Sequence, residues 1–120
     1  MYSTKFDTLI DEFPEESAAV GRLLELVRDG ESRPGIKEYP PNRLYDVLRP
    51  SNFRVLVQIL SSAVDKGLLR RSFRVLSSTG GGIGDFDSIV DIPLELYDSR
   101  MGRNVEVSQD AIELIFFIKQ

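Results

Sequence analysis

Asp85, Asp87 and Asp91 fall in a D-x-D-x-x-x-D pattern whose carboxylates could supply hard oxygen ligands to Mg2+ or Ca2+. The remaining oxygens of a calcium loop are missing, and short acidic loops are commonly just solvated, so no metal site is expected. Gly80, Gly81, Gly82 and Gly84 follow a strand-like run, as in phosphate-cradling loops. Such loops lead into a helix N-terminus, often through a GK[ST] sequence. Here a second strand pattern follows and GK[ST] is absent, so a flexible hairpin loop over 78–88 is the expectation. Neither cluster predicts catalysis.

Arginines form the third constellation. Arg70, Arg71 and Arg74 share one strand pattern, with Arg43, Arg49 and Arg54 upstream. Guanidinium groups capture carboxylates or phosphates in bidentate fashion. These could gather into a partner-binding patch with Asn52 and Gln58, or pair internally with acids such as Glu15 and Glu16. Tyr39, Pro40, Pro41 and Tyr45 could present an aromatic-proline surface to a peptide, or simply pack a loop onto the core.

The sequence has no histidine and no cysteine. That removes thiolate nucleophiles, disulfides, Cys-ligated metals, every Ser-His or Cys-His pair and the commonest general base. A conventional enzyme is therefore not expected, and no cofactor is implied. At 120 residues, 42% hydrophobic and 28% charged, the chain reads as one globular domain. No apolar run is long enough to cross a bilayer, and the first residues have no apolar signal core. A cytoplasmic protein without membrane contact is the expectation.

Net charge is −4, distributed unevenly. Residues 1–32 carry three basic and eight acidic side chains, net −5. Residues 33–74 carry nine basic ones, including Arg33 and Lys37, and three acidic, net +6. Residues 75–120 return to net −5. The basic middle suits a polar partner or internal pairing, while the overall acidity opposes generic attraction to nucleic acid.

The positioning elements follow from periodicity. Phe6, Leu9, Ile10 and Phe13 mark a short helix within 1–13, capped by Thr4 and ended by Pro14. A second helix starts at Pro14 or Glu15, with Val20, Leu23, Leu24 and Val27 inward and Gly30 as its left-handed stop. Residues 31–41 connect. A short helix over 42–48 turns Leu44, Val47 and Leu48 inward and stops before Pro50. Ser51 then caps a helix over 51–66 whose inward face is Phe53, Leu56, Val57, Leu60 and Val64. Val55, Ile59 and Ala63 widen that apolar stripe, as for a helix flanked on two sides or carrying a strip for a partner.

From Leu68 the period becomes two. Leu69, Phe73 and Val75 form one side of a strand, and Arg70, Ser72 and Arg74 a wet, basic side. Val90, Ile92, Leu94 and Leu96 mark a second strand, placed at an edge by Pro93. A turn at 98–104 leads into a third strand. The density of β-branched and aromatic residues over 109–119 favours a strand buried on both faces, a short helix being the alternative. Leu24, Leu56, Leu60 and Phe116 are expected in the core.

From Asn42 to about Leu96 the order is helix, Pro-Ser turn, helix, strand, loop, strand, which resembles a winged helix-turn-helix domain. The resemblance covers residues 14–96 and is topological. It implies an α+β fold: three to four N-terminal helices, then a small, mostly antiparallel sheet. The helical part would be 14–67 and the strand part 68–120. In DNA readers of this type the second helix of the pair enters the major groove and the wing meets the backbone. Here these would be Ser51–Lys66 and Thr79–Asp87. Helix 51–66 offers few base-reading side chains, and the wing offers Asp85 and Asp87 without Lys or Arg. The leading expectation is therefore a non-catalytic protein-interaction or adaptor module that favours a protein partner over nucleic acid. A DNA-binding transcriptional regulator using helix 51–66 is the alternative, and a carboxylate-based metal-dependent enzyme the third reading. The candidate partner-binding residues are Arg43, Arg49, Asn52, Arg54, Gln58, Arg70 and Arg74, and a homo-oligomer is compatible with all of this.

Overall fold

The protein is mixed α+β, and its described residues form four mostly N-terminal α-helices, a four-stranded antiparallel sheet and a two-stranded sheet. It is described by a computed structural model covering residues 2–32 and 38–118. Arg33 and Lys37, two of the nine basic residues of the middle segment, lie outside the described residues. The chain divides into two compact units, one of residues up to Arg70 with those from Phe116 onward, the other Arg71–Ile115.

In the first unit, α1 (Tyr2–Glu12) buries Phe6 and Leu9 of the predicted stripe. Thr4 is not its cap. It lies inside the helix, where its carbonyl accepts the Thr8 hydroxyl at 3.0 Å. Pro14 opens a 3-10 turn (Pro14–Glu16), so α2 (Ser17–Ser32) starts later than expected. Gly30 does not stop α2. It lies within the helix because the buried Ile118 side chain crosses there, and a Cβ at residue 30 would come 2.7 Å from Ile118 Cδ1. The glycine serves close approach rather than termination. Leu24 is only half-buried, since the buried stripe of α2 runs through Val20, Leu23, Val27 and Gly30 and leaves position 24 at its margin.

After β1 (Glu38–Tyr39), α3 (Pro41–Leu48) begins with Pro41 in its first turn, where a missing amide costs nothing. Leu44 and Leu48 are buried, but Val47 is exposed. In α4 (Phe53–Asp65) the buried stripe is Leu56, Ile59, Leu60 and Ala63. Phe53 and Val57, expected inward, face solvent, and Val64 is half-buried. Apolar residues nearly encircle this helix, so periodicity alone left the phase of its buried face open. Each fully buried Leu here contributes about 1.5–3 kcal/mol relative to exposure.

The larger sheet runs in the order β1-β6-β2-β3, with β2 at Leu69–Leu76, β3 at Gly82–Phe86 and β6 at Ile112–Ile118. β1 pairs antiparallel with β6 (Glu38 opposite Phe117, Tyr39 opposite Phe116). β6 is a strand, with Ile115 and Phe116 buried in succession, hence on opposite faces. β2 pairs antiparallel with β3, Arg74 opposite Asp85, with a register shift between Val75 and Leu76. The expected alternation along β2 fails at Ser72, which is buried with its hydroxyl 3.5 Å from the Phe86 carbonyl. Residues 78–88 are not one loop. The turn around Ser77–Gly81, with Gly80 at φ +98, and the bend at Asp87–Ser88 are irregular, while Gly82 and Gly84 belong to β3.

Within the second unit, the strand expected through Val90, Ile92, Leu94 and Leu96 is shorter. Ile89–Asp91 forms a 3-10 turn, closed by Asp91 N–H to Ser88 O and Ile92 N–H to Ile89 O, each 3.1 Å. Pro93 cannot donate a ladder bond, and β4 (Glu95–Asp98) starts only after it, pairing with β5 (Arg103–Glu106). Val90 and Leu94 are left 87% exposed rather than sharing a buried face.

Candidate interaction surface

The α3–α4 corner is tied down from several sides. Arg49 ends α3 in the left-handed region (φ 51), and its amide donates to the Tyr45 carbonyl at 2.9 Å. Pro50 follows, buried. The Arg22 guanidinium donates to the Leu48 carbonyl at 2.7 Å, satisfying a helix-end acceptor. The N-cap of α4 is Asn52, not Ser51: its Oδ1 accepts the Val55 amide at 2.9 Å. The Ser51 amide instead donates to Glu16 Oε1 at 2.9 Å. Asn52 can occupy the extended backbone a cap needs, and its carbonyl oxygen reaches one turn forward.

This corner presents an aromatic and apolar surface. Tyr45 and Phe53 stack with centroids 6.0 Å apart and planes at 26°. With Asn42 and Asp46 they line a hollow of about 280 Å3. Phe53 is 44% exposed and Val57, one turn along, 47%. Arg54 and Gln58 are also exposed and one turn apart, which puts them on one side of α4. The helix therefore shows solvent a mixed strip of two large apolar residues beside one cation and one amide.

The other candidate residues are distributed differently. Arg43 is exposed with its guanidinium 5.6 Å from the Tyr39 ring centroid, and Arg49 and Arg70 are exposed. Arg74 is engaged with Asp85 in a two-point contact, Nε to Oδ1 at 2.8 Å and Nη2 to Oδ2 at 3.2 Å. Asn52 is occupied by the cap. The structure thus brings Arg54 and Gln58 together on α4, with Arg43 and Arg49 on or beside α3, and commits Arg74 to an acid. Among the described residues no group of three or more carboxylates is placed to hold a metal ion.

Two charged groups lie outside these predictions. Lys66 pairs with Glu12 while Ser62 donates to the same carboxylate at 3.0 Å, which holds Glu12 below its usual pKa. In the second unit the buried Asp98 accepts from the Ser77 hydroxyl at 2.6 Å and from the Arg100 and Met101 amides at 2.9 and 3.2 Å. The Ser77 hydrogen bond, then these amides and the Arg100 charge, hold its carboxyl below the ordinary range against the opposing effect of burial. The signal was available: Asp four residues before a glycine in D-S-R-M-G is a side-chain-capped turn, and Gly102 takes φ +68. Beside this turn a cleft of about 430 Å3 is lined by Leu76, Ser77, Arg103, Glu106 and Asp110, among others. Arg22 gave no such signal, since a helix-borne arginine reads as solvated.

Comparison with protein-family models, curated proteins and solved structures returns no match to this chain.

Proposed function

We propose that this chain is a non-catalytic protein-interaction module of winged-helix type that docks a protein partner on the exposed face of α3 and α4. The observation that carries the reading is the exposure of Phe53 and Val57, 44% and 47%, on a helix that already buries Leu56, Ile59, Leu60 and Ala63. Large exposed apolar side chains around an aromatic stack suit the desolvated centre of an interface, and Arg54 and Gln58 suit its polar rim. The winged-helix comparison draws on the order α2, β1, α3, α4, β2 and on β6 returning between β1 and β2. On this reading the counterpart of the wing is the whole excursion from Ser77 to Ala111, carrying β3, β4 and β5, and not Thr79–Asp87 alone. The reading includes the cytoplasmic location expected from the sequence. Among the described residues no helix is long and apolar enough to cross a bilayer.

One observation favours a second reading, a DNA-binding regulator: Arg54 and Gln58 share an exposed side of the helix a winged-helix reader would place in the major groove. Asp46 and Asp65 on the same helix pair and the neutralisation of Arg74 by Asp85 weigh against it. The test is affinity capture from the native host with mass spectrometry, with and without nuclease, comparing wild type with Phe53→Asp/Val57→Asp. A protein retained after nuclease and lost in the variant supports the adaptor reading. Capture that disappears with nuclease supports the regulator.

A further inference from the structure

We infer that the partner of the α4 face includes a second copy of this chain, which seats the apolar turn at 89–94 of one copy against Phe53 and Val57 of the next. The inference rests on the reading of α4 given above and names its occupant. In the second unit Val90 and Leu94 are 87% exposed and Ile89 57%, clustered around the 3-10 turn that precedes Pro93. Such large apolar side chains so close in sequence and so open to water mark a contact surface. No Lys or Arg occurs between Asp85 and Ser99, and Asp91 and Glu95 are exposed beside the turn. The knob is thus apolar and acidic.

The α4 face has matching apolar character and opposite charge. Phe53 and Val57 lie beside exposed Arg54, and Arg43 and Arg49 are exposed on and next to α3, against two exposed acids of the helix pair, Asp46 by the hollow and Asp65 at the end of α4. Apolar centres with rims of opposite sign are what steers and registers a specific contact. The two patches are different surfaces of one chain, so each contact pairs the knob of one copy with the α4 face of another.

That geometry makes a distinctive demand on mixtures. A chain with a disabled α4 face keeps its knob, and a chain with a disabled knob keeps its α4 face. The test is sedimentation equilibrium of wild type, Phe53→Asp/Val57→Asp and Val90→Asp/Leu94→Asp, alone and as an equimolar mixture of the two variants, over about 10 µM to about 1 mM. All four substituted side chains are at least 44% exposed, and circular dichroism checks that the helices persist. The expected result is a wild-type mass rising with concentration above 13.6 kDa, each variant alone staying at one chain, and the mixture reaching two chains and no more. Charge reversal gives an independent measurement: Arg54→Glu or Asp91→Arg alone should weaken association at least tenfold, and the two together in one chain should restore it. A wild type that stays at 13.6 kDa throughout, a single variant that associates like wild type, or a mixture that fails to pair overturns the inference. If wild type is a single chain yet Phe53→Asp/Val57→Asp still loses a nuclease-resistant protein, self-association fails while the adaptor reading stands.

Discussion

The Ser77 hydroxyl donates to Asp98 Oδ2 at 2.6 Å, and through that bond the turn after β2 is fastened to the turn between β4 and β5. Asp98 also caps its own turn by accepting the Arg100 and Met101 amides, so one carboxylate organises two hairpins. The stabilisation requires the ionised form, because every partner is a donor. It should therefore be fully present above the unfolded pKa of about 4 and fade as pH falls through the lower folded value. Glu12, lowered chiefly by its Lys66 hydrogen bond, adds in the same direction. Thermal melts should show Tm flat near neutrality and falling below about pH 4. Asp98→Asn should lower Tm at pH 7 and narrow its gap to wild type in acid. A gap that stays constant with pH would rule out the ionised carboxylate as the organising group.

Gly30→Ala should destabilise the protein by about 1–3 kcal/mol, even though alanine is the better helix former by about 1 kcal/mol. The new methyl would sit 2.7 Å from Ile118 Cδ1 and 2.9 Å from Cγ2, and Ile118 is buried. Urea unfolding should show a lower midpoint at unchanged slope. A stabilised variant would mean that Ile118 yields freely.

Neighbouring cap candidates make opposite predictions. Asn52→Ala removes the side-chain acceptor for the Val55 amide and should cost about 1 kcal/mol. Ser51→Ala leaves the Ser51 amide and its bond to Glu16 intact and should fall within about 0.5 kcal/mol of wild type. Reversed magnitudes in denaturant titrations would return the cap to Ser51.

Random duplex DNA at about 50 mM salt, where phosphate attraction is exaggerated, should bind weakly or not at all by fluorescence anisotropy. The net charge of −4 opposes the polyanion, and Asp85 already occupies Arg74. Sub-micromolar binding that strengthens as salt falls and is lost in Arg54→Ala would replace the adaptor with the regulator.

Periodicity located α1 to α4 because each buries a stripe at helical spacing, and the density of β-branched and aromatic residues identified β6. What periodicity could not supply was phase and purpose. In α4, Val55, Val57, Ile59 and Ala63 surround Leu56 and Leu60, so several inward faces fit the same residues, and the tertiary fold selects one that leaves Phe53 and Val57 out. Gly30 has the composition of a stop signal but serves a close approach from Ile118, far away in sequence. Val90 and Leu94 keep the alternation of a strand while the chain around them closes a 3-10 turn ahead of Pro93. The candidate surface was legible in part: Arg54 and Gln58 share the expected exposed side, whereas the occupation of Asn52 and Arg74 depends on partners that only folding brings near.

The place of β6 in the larger sheet bears on how the chain reaches its native state. β1, at residues 38–39, finds its ladder partner at 116–117, and β2 is flanked by that same late strand. Closing a loop of this length carries an entropy cost that must be met before the pairing yields anything in return, which slows folding relative to the local helical contacts. The helices can therefore condense early, while the sheet stays a half-built edge until residues 112–118 arrive. During synthesis or refolding, β1 and β2 remain open to pairing with another chain for that interval, and conditions that prolong it favour misassembly over the native strand order.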